Sequence, residues 1–395
     1  MSRIPRTVWM LGLVSLFMDL SSEIIHALLP LFLTSTLGVS VAMVGLIDGI
    51  AEATASISKV FSGYLSDRIG RRKPLILLGY GMAALTKPLF ALAGSAPIVL
   101  GARFADRIGK GLRGAPRDAL VADVTPVEIR GRAFGLRQTM DTIGAFIGPL
   151  LAICLMVLFA DNIRQVFWIA VIPAAISAWI AIVMIREPAD HLGAAPRPPV
   201  RFGEVRQLDA AFWTVVVVGV LFTLARFSEA FLVLIASREG LPLTLAPLVL
   251  VAMNVVYALG AYPAGILADR TSARTLLAWG LACLIAADAT LAWGQGLALV
   301  FAGIGLWGAH MALTQGLLAK LVADRSPSAL RGTAFGLFNL ITGIAMLFAS
   351  VVAGLLWDVA GPSATFGAGG FLAILALATS LVIMRGKASP AQQSV

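Results

Sequence analysis

The chain has 395 residues, of which 59% are hydrophobic and 13% are charged, and its mean hydropathy is +0.90. This balance excludes a soluble globular domain, in which about 25% of residues are charged. The net charge of +9 could suggest a nucleic-acid partner, but Arg and Lys fall in short clusters between apolar runs, so none is expected. The two cysteines, Cys154 and Cys283, show no metal-ligand or redox spacing.

Apolar runs long enough to cross a bilayer, which needs about 20 residues per helix, follow one another along the chain. The predicted spans are 8–33, 41–65, 75–94, 97–122, 131–159, 165–185, 210–236, 244–268, 275–294, 297–323, 332–358 and 364–384. The first run contains Asp19 and Glu23 and lacks a cleavage site, so we expect a retained helix and not a signal peptide. We predict an all-α membrane protein of twelve transmembrane helices.

The runs divide into two sets of six. We predict an N-terminal half at 1–185, a proline-containing cytoplasmic linker at 186–208, a C-terminal half at 209–385 and a cytoplasmic tail at 386–395. Arg and Lys concentrate in every second loop, and the intervening loops hold only Arg164 and Arg238. This bias predicts a multi-pass protein of the inner (plasma) membrane with both termini in the cytoplasm.

An internal repeat relates the two halves. Leu120–Asp123, followed by Arg130–Leu136, recurs at an offset of 201 positions as Leu321–Asp324 followed by Arg331–Leu337. Gly63, Leu65, Asp67 and Arg68 recur 202 positions later as Gly265, Leu267, Asp269 and Arg270. Because six spans return the chain to the same side, the halves are parallel repeats about an axis along the membrane normal.

The segment Gly63–Lys73, with the sequence GYLSDRIGRRK, resembles the signature loop between the second and third helices of the major facilitator superfamily. The resemblance implies alternating access by rocking of the halves, with this loop as part of a cytoplasmic gate. Asp67 would face the positive dipole end at the start of the eleventh helix. The gate residues that it implies are Gly63, Asp67, Arg68, Gly70, Arg71, Arg72, Asp123, Arg130, Asp269, Arg270, Asp324 and Arg331.

Two further segments resemble branches of the same superfamily. Gly144, Gly148 and Pro149 in the fifth span are similar to part of a motif of drug and proton antiporters, although the trailing glycine pair is missing. Small residues at this spacing would also allow close helix packing in any membrane protein. Residues 106–118 of the fourth span resemble an orphan branch of prokaryotic permeases, and this resemblance implies no particular substrate.

Charged residues interrupt several spans of the first half. A charge at mid-bilayer costs about 2.5–3.5 kcal/mol, so each one should face the bundle interior with a partner or a task. Helical spacing gathers them on three faces. These faces carry Asp19, Glu23 and His26 on the first span, Asp48, Glu52 and Lys59 on the second, and Arg103, Arg107, Lys110, Arg113 and Arg117 on the fourth.

The carboxylates and the cations point to different tasks. Clustered carboxylates in a low-dielectric cavity repel one another, so one should accept a proton near neutral pH. The proton-coupling candidates are Asp19, Glu23, Glu52 and Asp48, and the substrate-binding candidates are His26, Arg103, Arg107, Lys110, Arg137 and Asp141. The alternative is a structural network of ion pairs, above all for Arg113, Arg117 and Asp118.

These features predict a secondary transporter that exports a small organic solute, anionic or zwitterionic, in exchange for protons. A proton symporter that imports an anionic metabolite is the alternative, favoured by the cationic face of the fourth span. His26 beside Asp19 and Glu23 could form a divalent metal site, so a metal transporter is a further alternative. A lipid transporter is another. We expect a monomer without a cofactor. We expect no enzymatic activity, since no nucleophile and base stand at catalytic spacing.

Overall fold

The computed structural model describes residues 4–126, 129–186, 205–326 and 330–383, and these residues form helices and short connections without strands. The first half contains α1 (Arg6–Leu31), extended by a π-helical turn at Phe32–Thr36, α2 (Val41–Ile69), α3 (Lys73–Leu92), α4 (Ala96–Asp123), α5 (Arg130–Leu158) and α6 (Ile163–Met184). The second half contains α7 (Ala210–Ala225), α8 (Ala230–Arg238), a 3-10 turn at Leu243–Leu245, α9 (Leu248–Arg270), α10 (Ala273–Trp293), α11 (Leu297–Asp324), α12 (Arg331–Ala360) and α13 (Pro362–Ile383).

The twelve predicted spans are confirmed as helices, most of them within two or three residues at each end. Eleven spans within the described ranges are long and apolar enough to cross a membrane. The remaining one is α4, whose Arg, Lys and Asp side chains make it too polar for that measure, although it packs against α2 and α3 inside the bundle. The fold is therefore all-α with twelve spans.

The seventh span departs from the prediction of one continuous helix over 210–236. It is broken between α7 and α8, where Arg226 has an extended backbone (φ −110°, ψ 91°). Arg226 pairs with Glu229 at 3.3 Å, and the Ser228 hydroxyl accepts a hydrogen bond from the Ala230 amide at 3.1 Å. These local bonds replace the helical ones, so the break needs neither Pro nor Gly.

The helix contacts repeat between the halves, as the internal sequence repeat predicts. In the first half, α1 packs on α5 and α6, α3 packs on α4 and α6, and α2 packs on α4. In the second half, α7 packs on α12 and α13, α10 packs on α11 and α13, and α9 packs on α11. The two halves are thus the same six-span unit built twice.

Because the spans alternate in direction, the bundle has two faces. The terminal face holds the start of α1 and the end of α6, and the far face holds the loops that follow α1, α3 and α5. Between the halves, the part of α2 nearest the far face packs against α12. There Gly45 and Gly49 lie against the α12 backbone at Ser350 and Leu347. A cavity remains between the halves beyond this contact.

Candidate functional site

A polar cavity of about 360 Å³ lies between the halves. Helices α1, α2, α4 and α5 of the first half line it together with the α7–α8 break, α9 and α12 of the second half. The lining residues are Glu23, His26, Asp48, Glu52, Arg107, Lys110, Ala145, Arg226, Phe227, Ser228, Glu229, Leu250, Asn254 and Met346. The size suits a small solute, and the charged lining suits a polar one.

Cations of α4 pair with carboxylates of α2 along the cavity wall. Arg107 Nη1 lies 3.2 Å from Glu52 Oε1, and the side chain of Glu52 is 44% exposed towards the cavity. Arg103 Nη2 lies 3.4 Å from Asp48 Oδ1, but Arg103 is only 2% exposed. The structure therefore places Arg103 behind Asp48 and not on the cavity surface, so the prediction that it binds solute there is corrected.

Asp48 connects the two halves. While one of its oxygens faces Arg103, the other accepts a hydrogen bond of 2.8 Å from the Ser228 hydroxyl in the α7–α8 break. Ser228 belongs to no sequence motif, and only the break in the seventh span brings it to the cavity. The first-half ion pairs are thereby linked to the second half.

The predicted face of α1 meets the same cavity. Glu23 lies 3.4 Å from His26 Nδ1, and both side chains line the cavity. Asp19 lies on the same side of α1, within electrostatic reach of Lys110. Lys110 itself is exposed and lines the cavity, and no ion pair joins it to another side chain in the described ranges.

Arg137 and Asp141, two of the predicted substrate-binding residues, do not line the cavity. They pair with each other in an ion-pair network towards the terminal face, together with Arg117 and Asp118. Arg117 lies 3.3 Å from Asp118 and 3.7 Å from Asp141, and Arg137 lies 3.5 Å from Asp118. These contacts correspond to the alternative of a structural network, which the spacing could not separate from substrate binding.

A buried ion pair joins α3 and α4 behind the cavity. Lys87 Nζ lies 2.9 Å from Asp106 Oδ1 and 3.0 Å from the Ser22 hydroxyl of α1, and both charged residues are less than 5% exposed. The sequence indicates two charges within spans but not their pairing, because they lie on different helices. The pair holds three helices of the first half together.

The loop that resembles the superfamily signature makes the turn that its glycines require. Gly70 has a φ of +70°, a left-handed conformation that favours glycine, and Gly63 lies against Ala115 of α4. Arg72 bonds to the Ser66 hydroxyl at 2.8 Å and to Asp123 at 3.4 Å.

The structure describes the side chains of some other predicted gate residues but not of all of them. Arg130 bonds to the Thr125 carbonyl at 3.3 Å. The side chains of five predicted gate residues lie outside the described residues, so their contacts are not part of this structure: Asp67, Asp269, Arg270, Asp324 and Arg331.

The antiporter-like motif holds α5 against α1 at the carboxylate cluster. A Cβ atom added to Gly148 would lie 2.7 Å from the Cβ of Glu23 and 3.1 Å from the Leu20 carbonyl oxygen, and one added to Gly144 would lie still closer to the Leu16 carbonyl oxygen. Pro149 is buried in the same helix. The two glycines therefore determine how near the Glu23 carboxylate lies to α5.

The described ranges contain no group of three or more His, Cys, Asp or Glu side chains placed to hold a metal ion. His26 and Glu23 are close together, but Asp19 lies one turn further along α1 and does not join them in such a group.

A bundle of two repeated six-span halves with a charged cavity between them is the architecture of a membrane transporter. The model of the Major Facilitator Superfamily matches residues 11–256 and 230–394, so the chain belongs to this superfamily. It is a multi-pass membrane transporter and not an enzyme.

Similar proteins agree with this assignment. An uncharacterized MFS-type transporter of Methanocaldococcus jannaschii is 30% identical over 383 residues, which cover 94% of this chain and 93% of the relative. The multidrug resistance protein MdtH of Edwardsiella ictaluri is 29% identical over 207 residues, about half of each chain. A crystal structure of the nucleoside transporter NupG superposes with a TM-score of 0.81 at 13% identity, covering 96% of this chain and 99% of the other, and shows the shared fold.

Proposed function

We propose that this protein exports a small zwitterionic or anionic organic solute in exchange for protons, by alternating access to the cavity between the halves. The observation that carries the proposal is the unequal pairing of the cavity cations. Arg107 and Arg226 each have a carboxylate partner, whereas Lys110 is exposed to the cavity and has none among the described residues. An unpaired ammonium group on the wall of a low-dielectric cavity attracts an anionic group.

The carboxylates of the cavity can bind the cationic group of a zwitterionic solute. Glu23, on α1, shares the cavity with Lys110, and its carboxylate lies 3.4 Å from Nδ1 of its neighbour His26. A zwitterion would place its anionic group at Lys110 and its ammonium group at Glu23. The ammonium group and a proton then compete for one carboxylate, and this competition is the requirement for exchange. Asp19, within electrostatic reach of Lys110, is the second proton-binding candidate.

The second candidate function is import of an anionic metabolite together with a proton. It is favoured by the ion pair on the cavity wall between Arg107 and Glu52, in which Arg107 Nη1 lies 3.2 Å from Glu52 Oε1. Protonation of Glu52 would free Arg107 for the solute, so that proton and solute bind together instead of competing.

The resemblance of the 63–73 loop to the superfamily signature, with its cluster of basic residues, supports a cytoplasmic gate at the terminal face. In this proposal the terminal face of the bundle lies in the cytoplasm, the membrane is the inner (plasma) membrane, and the protein works as a monomer with halves at 1–185 and 209–385.

Thermal shift of the purified protein tests the solute class. The panel contains amino acids and other zwitterions, organic anions and quaternary ammonium cations. We expect zwitterions or anions to raise the unfolding temperature, and Lys110→Ala to abolish the effect. The control is Arg238→Ala, which removes an exposed cation at the end of α8, outside the cavity. Stabilisation by cations alone, or equal loss in both variants, would contradict the proposal.

Proteoliposomes with an imposed pH gradient test coupling and direction, using a solute identified in that panel. In the exchange mechanism, solute moves against the proton flow, and Asp19→Asn or Glu23→Gln abolishes gradient-driven accumulation while solute–solute exchange continues. Movement of solute with the protons would instead establish the import alternative. Full gradient-driven accumulation by both variants would remove Asp19 and Glu23 from the coupling mechanism.

A further inference from the structure

A carboxylate of the second half binds the end of a first-half helix at the far face. Asp358, in the last turn of α12, accepts a hydrogen bond from the Val41 amide at 3.0 Å through Oδ1 and from the Ala42 amide at 2.9 Å through Oδ2. Val41 and Ala42 are the first two residues of α2. One side chain therefore serves two backbone donors across the boundary between the halves.

These donors have no partner within their own helix, because the first N–H groups of an α-helix lack a carbonyl one turn earlier. Ser40, the preceding residue, accepts from the Met43 amide at 3.3 Å and so serves only the third position. The Asp358 carboxylate satisfies the first two, and its negative charge also lies at the positive end of the helix dipole. The cap of α2 is complete only while the two halves touch at this face.

Next to the Asp358 contact, α2 and α12 are closely packed. A Cβ atom added to Gly354 would lie 2.7 Å from the Cα of Ala42, so α12 and α2 meet nearly backbone to backbone one turn below Asp358. A second cross-half bond lies on the same face, where the Thr244 hydroxyl donates to Asp161 at 2.6 Å. The described structure is thus closed at the far face, and the cavity cannot reach that side without parting these contacts.

We propose that Asp358 is the latch of the far face: it holds the cavity closed on that side by capping α2, and it must release α2 in every transport cycle. The latch acts as a positioning residue for the two halves and touches neither solute nor proton. Its role does not depend on the solute class or the coupling ion proposed above.

Distance measurements between spin labels test the latch without any solute. Both native cysteines are replaced by serine, and labels are attached at Thr36→Cys and Ala360→Cys, which are exposed on the far face of opposite halves. Pulsed electron resonance in liposomes then gives the populations with short and long separation. Loss of a helix cap corresponds to a change of about fivefold in equilibrium, so Asp358→Ala should raise the ratio of long to short separation about fivefold.

Two further variants make the test specific. Val41→Pro removes one of the two donors at the first helical position, where proline fits, and should give a smaller shift in the same direction with Asp358 intact. Asp209→Ala is the matched control, because Asp209 caps α7 by accepting from the Phe212 amide at 2.9 Å and bonds to no residue of the other half within the part of the chain that the structure describes. An unchanged distance distribution in Asp358→Ala and Val41→Pro, or an equal shift in Asp209→Ala, would overturn the proposal.

Discussion

The two halves share one set of helix contacts but differ in their buried charges. In the first half, Lys87 and Asp106 form a buried ion pair, and Arg103 faces Asp48. In the second half, Asp288 and His310 are both fully buried, and neither forms an ion pair in the described ranges. His310 bonds through Nδ1 to the Gly280 carbonyl and stacks on Phe222. The same helix packing occurs in both halves, but among the described residues the fully buried ion pairs lie in the first half, and the second half has the partly exposed pair Arg226–Glu229.

The same chemical change in both halves tests this difference. In the first half, Asp106→Asn leaves the Lys87 ammonium buried with only neutral close partners, the new amide oxygen and the Ser22 hydroxyl, and with Arg107 and Arg113 acting on it as like charges. Removal of one member of a buried pair costs about 3–5 kcal/mol. We expect a large loss of thermal stability, measured by unfolding in detergent.

The control for Asp106→Asn is the double variant Lys87→Met with Asp106→Leu, which removes both charges. It should recover most of the lost stability, because no unpaired charge remains. If Asp106→Asn alone unfolds at the temperature of the unmodified protein, the ion pair does not stabilise the first half.

The glycine contact beside Glu23 is the next largest effect. Gly148→Ala brings a Cβ atom to 2.7 Å from the Cβ of Glu23, so α5 must move away from α1. Overpacking of this kind costs about 1–3 kcal/mol, and it should also weaken solute binding in the thermal-shift panel. Gly367→Ala is the control in the second half, where a Cβ would meet no atom within 4 Å. Equal behaviour of the two variants would show that α5 has room at this point.

The smallest effect is expected at Asp288. Neither of its carboxyl oxygens has a hydrogen-bond partner in the described ranges, so Asp288→Asn breaks no ion pair and preserves the shape of the side chain. We expect a change in stability of less than about 1 kcal/mol, well below that of Asp106→Asn. Unfolding of both variants under identical conditions checks the comparison. A loss at Asp288 as large as at Asp106 would reveal that the second half, too, relies on a buried charge.

Prediction from sequence succeeds where lipid imposes the pattern. Spans must be apolar and about 20 residues long, so their number and approximate ends can be predicted from hydropathy. The helix α4 can be recognised despite its charges because the segment between the third and fifth spans is long enough to cross the membrane. The turn at Gly70 follows from the glycine itself. The break after Ala225 could not be predicted, since neither Pro nor Gly marks it, and neither could the bond that it allows between Ser228 and Asp48, two residues 180 positions apart.

The candidate site shows the same limit. Helical periodicity places Arg103, Arg107 and Lys110 on one face of α4, but it does not reveal which carboxylate each will meet. The structure buries Arg103 beside Asp48, pairs Arg107 with Glu52 and leaves Lys110 exposed to the cavity. Arg137 and Asp141, which the sequence predicts in the site because they are charges within a span, lie instead in the ion-pair network with Arg117 and Asp118.

The class of fold, the duplication and the helix faces that carry charge can be predicted from residue type and spacing, because each of these is a property of one chain read in order. The tertiary structure decided which charges are paired, where the seventh span breaks and that Asp358 caps α2 across the halves. Those outcomes depend on distances between helices far apart in sequence. In a medium without water to satisfy them, the position of the partner decides whether a charge holds the fold together or stays available to a solute.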